Sequence, residues 1–288
     1  MNVNMNHNNT NNNIRSMQAN RNMQVQQTQR QRADERLASG RQINRAADDA
    51  AGLAIAERIE NLIRGLDQAF NNVADGRNML DTADGALGSM GDLLGRAREL
   101  TVQAANDTLP SSVRHMMQAE ISQVLSEIDS IAGNTQFNTQ NLLDGSVQNL
   151  GLQVGANAGQ RLESAIGAMD LDGLQLSNFS DMFRDAADQN ITLGGATLSS
   201  MISSIDQAAS FVSNQRANIG ATSNRLDHIS NNLSSSSVNQ AAANSQIRDA
   251  DMALEMMRRT QANVLGQASL AMSAQANMAQ GVALRLLG

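Results

Sequence analysis

Glu35–Ile59 reads ERLASGRQINRAADDAAGLAIAERI, and it separates two kinds of sequence. Before it lies a segment rich in Asn, Gln and Arg; after it a heptad pattern begins. Ser39-Gly40 can stop a helix, because Gly accepts the left-handed conformation that closes a C-terminus. Asn44 then reads as the N-cap of the next helix, with Asp48 and Asp49 favoured at its positive end. Adjacent carboxylates on a helix point about 100° apart, so this pair predicts capping and not a catalytic dyad. The stretch is a joint, with Gly40 as the stop and Asn44 as the restart.

Downstream of the joint, apolar residues recur in alternating steps of four and three. The stripe runs Ile55, Ile59, Leu62, Leu66, Ala69, Val73, Gly76, Leu80, Ala83, Leu87, Met90, Leu94, Ala97, Thr101 and Ala104. Only Gly76 and Thr101 depart from apolar. This is a coiled-coil seam, predicting a helix over residues 45–105, on the order of 75 Å long. NDTLPSS (Asn106–Ser112) reads as a turn with a serine N-cap. A second helix over 112–132, with Val113, Met117, Ile121, Val124, Ile128 and Ile131 on one stripe, should return antiparallel. Residues 134–147 lack periodicity. The alternation of Leu150, Leu152 and Val154 before Gly155–Gly159 predicts a β-hairpin within 148–176, and 177–194 reads as a connector. A third helix, 197–234, carries Met201, Ile205, Ala208, Val212, Gln215, Ile219, Thr222, Leu226, Ile229 and Leu233. The phase resumes past the serine-rich Ser234–Ser237 and continues through Ala243, Ile247 and Ala250.

The C-terminal segment states the central physical problem. Leu254, Met257, Val264, Ala268, Ala271, Met278 and Val282 form one stripe, and Leu265, Met272, Ala279 and Leu286 a second beside it. No charge occurs from Thr260 to Leu284. A helix apolar on more than one side must be covered by protein, yet its one internal partner is the sparsely apolar segment 14–37 (Ile14, Met17, Val25). Burial of the remainder therefore falls to other copies of the chain, and involvement of both ends favours a head-to-tail polymer.

Composition excludes much else. The 288 residues hold no Cys, Trp or Tyr and a single proline, Pro110, which suits long aliphatic helices and rules out thiolate chemistry. His7, His115 and His228 are scattered, so no metal or cofactor is expected. All 21 basic residues are Arg. Of the net charge of −7, residues 1–33 contribute +4 and 252–288 contribute +2, leaving −13 for the middle. No dense basic patch with interleaved aromatics predicts nucleic-acid binding. No apolar signal segment opens the chain, and Thr260–Leu284 carries too many amides to span a bilayer, so no membrane insertion is expected. Residues 1–13, mostly Asn, read as disordered until bound. Four glycosylation sequons, at Asn106, Asn178, Asn190 and Asn232, are no more than this composition yields by chance.

Glu35–Ile59 resembles the amino-terminal region of bacterial flagellins. The resemblance continues through Arg96–Gln103 (RARELTVQ), Gln118–Ile121 and Thr135–Asn138. It resumes at Gln215–Gly220 (QRANIG), Asn224–Leu226, Ser245–Asp251 (SQIRDAD), Gln275–Asn277 and Leu286-Leu287. It implies a mainly α fold: long coiled-coil-like helices forming a rod with one β-hairpin, plus a terminal helical pair. The pair would comprise residues 1–40 and 250–288, lining a tube, and the rod residues 41–249. Two departures stand out: the asparagine-rich opening, and the absence of outer domains beyond 177–194. The resemblance further implies a secreted, extracellular filament subunit that self-assembles and functions in motility. Implied partners are hook-associated junction and cap proteins, the type III export apparatus, and an export chaperone at the C-terminal helix. It also implies that Arg96, Leu100, Gln103 and Glu120 occupy positions that contact Toll-like receptor 5 in stimulatory flagellins; packing or solvation explains the same residues. The alternatives are the hook–filament junction protein (hook-associated protein 3), which shares the terminal helices, and a signalling coiled coil, which leaves the hairpin unexplained. No nucleophile–base pair or phosphate loop suggests an enzyme.

Overall fold

The computed structural model describes the backbone of residues 2–147, 149–189 and 194–285. Side chains are described for these except 2–13, 15, 184–189, 276, 277 and 279–285. Among the described residues the helices are α1 (Asn2–Ser39), α2 (Ala50–Ala104), α3 (Ser111–Asn134), α4 (Ser177–Gln189), α5 (Gly195–Arg248) and α6 (Met252–Arg285). Two small antiparallel hairpins interrupt them: β1 (Gln136–Phe137) with β2 (Gln140–Asn141), and β3 (Leu150–Gln153) with β4 (Arg161–Ser164). The chain divides into two compact units, Met1–Leu62 with Asn239–Gly288, and Ile63–Val238. That boundary falls inside α2 and α5, whereas the sequence suggested divisions at 40 and 249.

The Ile63–Val238 unit is organised by the α2 seam. From Leu66 to Ala104 every seam position is buried, Gly76 and Thr101 included. Thr101 is satisfied locally, its Oγ1 donating to the Ala97 carbonyl at 2.6 Å. Gly76 has a packing reason: a Cβ there would lie 2.6 Å from Leu152 Cδ1, and one at Gly65 would lie 2.8 Å from Ala156 Cβ. The β3–β4 hairpin thus lies against α2 over two glycines, with Asn72 Nδ2 donating to the Gln153 carbonyl at 3.2 Å. On α5 the heptad positions Met201, Ile205, Ala208, Val212, Gln215, Ile219, Leu226 and Leu233 are buried. Charged pairs lace α2 to α5 in descending order: Arg77 with Asp227, Asp84 with Arg216, and Arg98 with Asp206. Rising numbers on one helix against falling numbers on the other mark an antiparallel pair. Exposed pairs of this kind contribute about 0–1 kcal/mol each, so they fix register more than they stabilise.

Several expectations need correction. Ile55 is half exposed while Ala56 is fully buried, because in the first unit the inward face of α2 is offset from the seam by one position. On α3 the buried residues are Gln118, Ile121, Leu125, Ile128 and Ala132, so Met117, Val124 and Ile131 sit beside the seam. Pro110, not a serine, occupies the α3 N-cap position, without a side-chain cap. Segment 134–147 holds the β1–β2 hairpin, whose turn residues Asn138 and Thr139 have φ of 48° and 68°, the signs of a type I′ turn. The β3–β4 ladder is shorter than 148–176, and the connector contains α4, anchored by the fully buried Phe183. The helix expected to weaken at Ser234–Ser237 continues to Arg248. Helix α1 begins at Asn2, where disorder was expected: once a helix is nucleated, each further residue adds a hydrogen bond at little cost.

Candidate assembly interface

The first unit pairs the two ends of the chain. α1 and α6 run antiparallel, with Arg36 opposite Glu255, Asp34 opposite Arg259 and Arg30 opposite Asn263. Apart from Met23, their mutual face is small or polar: Ala19, Gln26 and Ala33 on α1 meet Ala262, Gly266, Ser269 and Ser273 on α6, all buried or half-buried. Small side chains let two backbones approach closely, but they bury little apolar area.

The consequence appears on the outer face of α6. Leu254, Met257, Val264, Leu265, Ala268, Ala271, Met272 and Met278 are all exposed, Met257 at 62 %, Val264 at 59 % and Met272 at 65 %. Both stripes read from the sequence point away from α1. The side chain of Val282 and the whole of Leu286 lie outside the described residues. Leu270, Met256 and Met252 add to the exposed set, as do Ile14, Met17 and Val25 on α1. The described portion of this helix offers a continuous uncharged apolar surface beyond Arg259. At about 25 cal/mol per Å² of apolar area covered, contact along it is a strong driving force for association. Among the described residues no helix is long and apolar enough to cross a membrane.

Charge concentrates near the joint. Glu255 is buried, with its Oε1 accepting from Arg36 Nη1 at 3.1 Å and Arg258 Nη1 at 2.7 Å. Arg259 Nε lies 2.8 Å from Asp34 Oδ1. Sequence reading missed this clasp. Its signal was visible, since Glu255 is the one acid between Met252 and the C-terminus.

The joint itself is a double crossing. Gly40 has φ +69° and donates its N–H to the Arg36 carbonyl at 2.8 Å, a left-handed helix stop. The chain then runs extended beside the break between α5 and α6. Arg41 bridges Asp249, Gln42 N–H donates to the Arg248 carbonyl at 2.7 Å, and Ala250 N–H to the Gly40 carbonyl at 2.9 Å. Ile43 is buried beneath.

Asn44 is not the N-cap. Asp49 immediately precedes α2, its Oδ1 accepting from Gly52 N–H at 2.9 Å. Asp48 holds the preceding turn, its Oδ2 accepting from the backbone N–H groups of Arg45 at 3.1 Å and Asn44 at 3.3 Å. Asn44 instead donates through Nδ2 to the Arg41 carbonyl at 3.2 Å. The extra residues between Asn44 and Ala50 form a turn, which displaces the cap by five positions. Desolvation pushes the Asp48 carboxyl up, but the two backbone N–H bonds and the charges of Arg36 and Arg32 together hold it below the ordinary carboxylate range.

Of the four residues that the flagellin resemblance singled out on the rod, Arg96 and Glu120 are brought together, Nη2 to Oε1 at 2.7 Å. That hydrogen bond, followed by the carboxylate charge, raises the Arg96 pKa. Gln103 is exposed, seven residues along α2 from Arg96. Leu100 is only 2 % exposed. It belongs to the core, one turn from the buried seam residues Ala97 and Ala104, and it offers no surface to a partner.

Comparison with known proteins agrees with this architecture. Residues 10–148 match the bacterial flagellin N-terminal helical region and residues 202–287 the bacterial flagellin C-terminal helical region. The chain is 44 % identical over 257 residues to a flagellin of Halalkalibacterium halodurans, covering 89 % of this chain and 91 % of that one. It is 41 % identical to a flagellin of Bacillus subtilis, covering 89 % and 92 %. A solved structure of a hook-associated protein from Vibrio parahaemolyticus, described as putative, superposes with a TM-score of 0.59 at 16 % identity. That match covers 70 % of this chain and 100 % of the other, and at this identity the likeness is one of fold.

Proposed function

The chain belongs to the bacterial flagellin family and is a structural subunit of the flagellar filament, and on that premise we propose that it polymerises through α1 and α6. The observation that carries this reading is the outer face of α6. Met257, Val264, Leu265, Met272 and Met278 stand exposed on an uncharged helix whose intrachain face is filled by small residues. Neighbouring copies cover this face in the filament, and coverage supplies the stability that the α1–α6 seam lacks. The joint at Gly40–Asp49 and Arg248–Asp251 ties the pair to α2 and α5. The filament is extracellular, and the chain reaches it through the flagellar export apparatus, with an export chaperone covering the exposed α6 face before assembly. Junction and cap proteins meet the same terminal helices at the filament ends. The role is mechanical and not enzymatic.

The experiment is to shear the surface appendages from the producing cells and reconstruct the filament by electron cryomicroscopy. This chain should form the lattice, with the outer face of α6 covered by neighbours. Recovery of the chain only from the cell interior, or a lattice that leaves that face bare, would overturn the proposal. Strong sequence likeness to filament proteins over both chains favours this role over the junction protein.

A second reading concerns the free subunit: Arg96, Gln103 and Glu120 form the surface on α2 and α3 that Toll-like receptor 5 meets. It is supported by the exposure of all three and by the Arg96–Glu120 pair. Purified monomer should activate a receptor reporter, and Arg96→Ala should weaken the response. An unchanged response would remove Arg96 from the contact.

A further inference from the structure

Where α1 meets α6 the seam opens into a cleft of about 230 Å³. Its walls include Met23, Gln26 and Arg30 on one side and Asn263, Gly266 and Leu270 on the other. At its floor is Gly266, and that glycine is not required by its own chain. Its φ is not in the left-handed region, and an added Cβ would come no closer than 4.0 Å to another residue, at Gln26 Cβ. That is ordinary contact. A glycine inside a helix lowers its stability relative to alanine, so within this chain alanine would fit and would serve the helix better. Beside it, Gln26 Oε1 is buried and lacks a hydrogen-bond donor among the described residues, an arrangement that costs stability until a donor arrives.

From this geometry we infer that the Gly266 cleft is a socket for a side chain of a neighbouring copy, namely an apolar residue from the outer face of that copy's α6. The inference rests on the assembly reading and specifies the seat within it. The chemistry of a second copy suits the cleft on three counts. Outer-face residues such as Leu265 and Met272 are long, unbranched at Cβ and exposed, so they can insert as knobs where no side chain fills the hole. Apart from Arg30 at the rim the cleft carries no charge, and α6 beyond Arg259 offers none until Arg285. Each candidate knob also has an amide one turn away, Gln261 before Leu265 and Gln275 after Met272. An incoming knob therefore brings an N–H donor to a cleft walled by the amides of Gln26 and Asn263.

The test uses the full chain, seeded with fragments of its own polymer, and measures the critical concentration for growth by sedimentation. Gly266→Ala should raise that concentration several-fold, and Gly266→Leu should prevent growth, both without loss of helical content in the free chain. Gly266→Leu growing like the wild type would overturn the socket. The effect of Met272→Asp then separates the two levels. Blocked growth in that variant beside normal growth of Gly266→Leu leaves assembly through α6 standing and removes only the socket; normal growth in both removes both. A second measurement covers the case in which Gly266→Leu perturbs the helix. The chain has no cysteine, so Gly266→Cys carries a single thiol. Its reaction with a maleimide should be at least tenfold slower in polymer than in free chain, and equal rates would contradict the socket.

Discussion

Arg36 of α1 and Glu255 of α6 meet at 3.1 Å, although 219 residues separate them in the chain. Glu255 also receives Arg258, and its side chain is only 4 % exposed. Along a seam of mostly small or polar residues, this carboxylate is the one buried charge among the described residues. A seam of small residues tolerates slippage, whereas a buried charge matched by one arginine across the seam does not.

Glu255→Ala should therefore weaken the terminal pair by about 2 kcal/mol, the usual scale for losing charged hydrogen bonds. Measured as critical concentration for polymer growth, that is a rise of about thirtyfold. Urea unfolding of the Ile63–Val238 unit should be unchanged, because none of the three partners lies within it.

Replacement of Gly40 by valine places a β-branched residue at φ +69°. Nothing lies within 4 Å of its Cβ position, so the cost is backbone strain of roughly 1–2 kcal/mol and not a clash. The strain falls where α1 ends, so growth of polymer should suffer more than thermal unfolding of the second unit. Equal loss in both assays would show that Gly40 is not a local joint.

Asp48→Asn removes a carboxylate whose folded pKa is depressed. Between the lowered folded value and the unfolded value of about 3.9 the unfolded chain binds more protons. The contribution is therefore present above about pH 4 and lost as pH falls through the folded pKa. The variant should be less stable than the wild type at neutral pH, and the gap should close below about pH 4. A pH series of thermal midpoints, followed by helical circular dichroism, checks this.

Gly76→Val restores the apolar residue that the heptad pattern asks for, and it should nevertheless destabilise. A Cβ at this position would meet Leu152 at 2.6 Å, and overpacking of this kind costs about 1–3 kcal/mol. Denaturant unfolding of the variant should show an earlier midpoint with an unchanged slope.

The last case shows where the sequence could be read and where it could not. The seams of α2 from Leu66 and of α5 from Met201 were legible because their period is local, repeating within seven residues. Gly76 looked like a flaw in that pattern because its reason, Leu152, arrives from a hairpin 76 residues away. Asp49 was taken for a first-turn residue and Asn44 for the cap, since both suit the chemistry; the turn between them depends on backbone bonds no pattern reveals. Helix α4 had a signal, Phe179, Met182 and Phe183 at helical spacing, within a segment whose Gly and Ser content suggested a connector. On α6 the apolar stripes stand out in the sequence, and their described residues face away from α1. The face that meets α1 was missed, because small residues carry no periodic hydrophobic signal.

The claim on which the account depends is that the outer face of α6 is buried between copies. Val264→Asp combined with Met272→Asp places two charges on that face, away from α1. Sedimentation of the seeded double variant tests the claim most directly. No pelletable polymer is expected, with helical content and unfolding of the free chain unchanged; polymer growing at the wild-type critical concentration would contradict burial of this face.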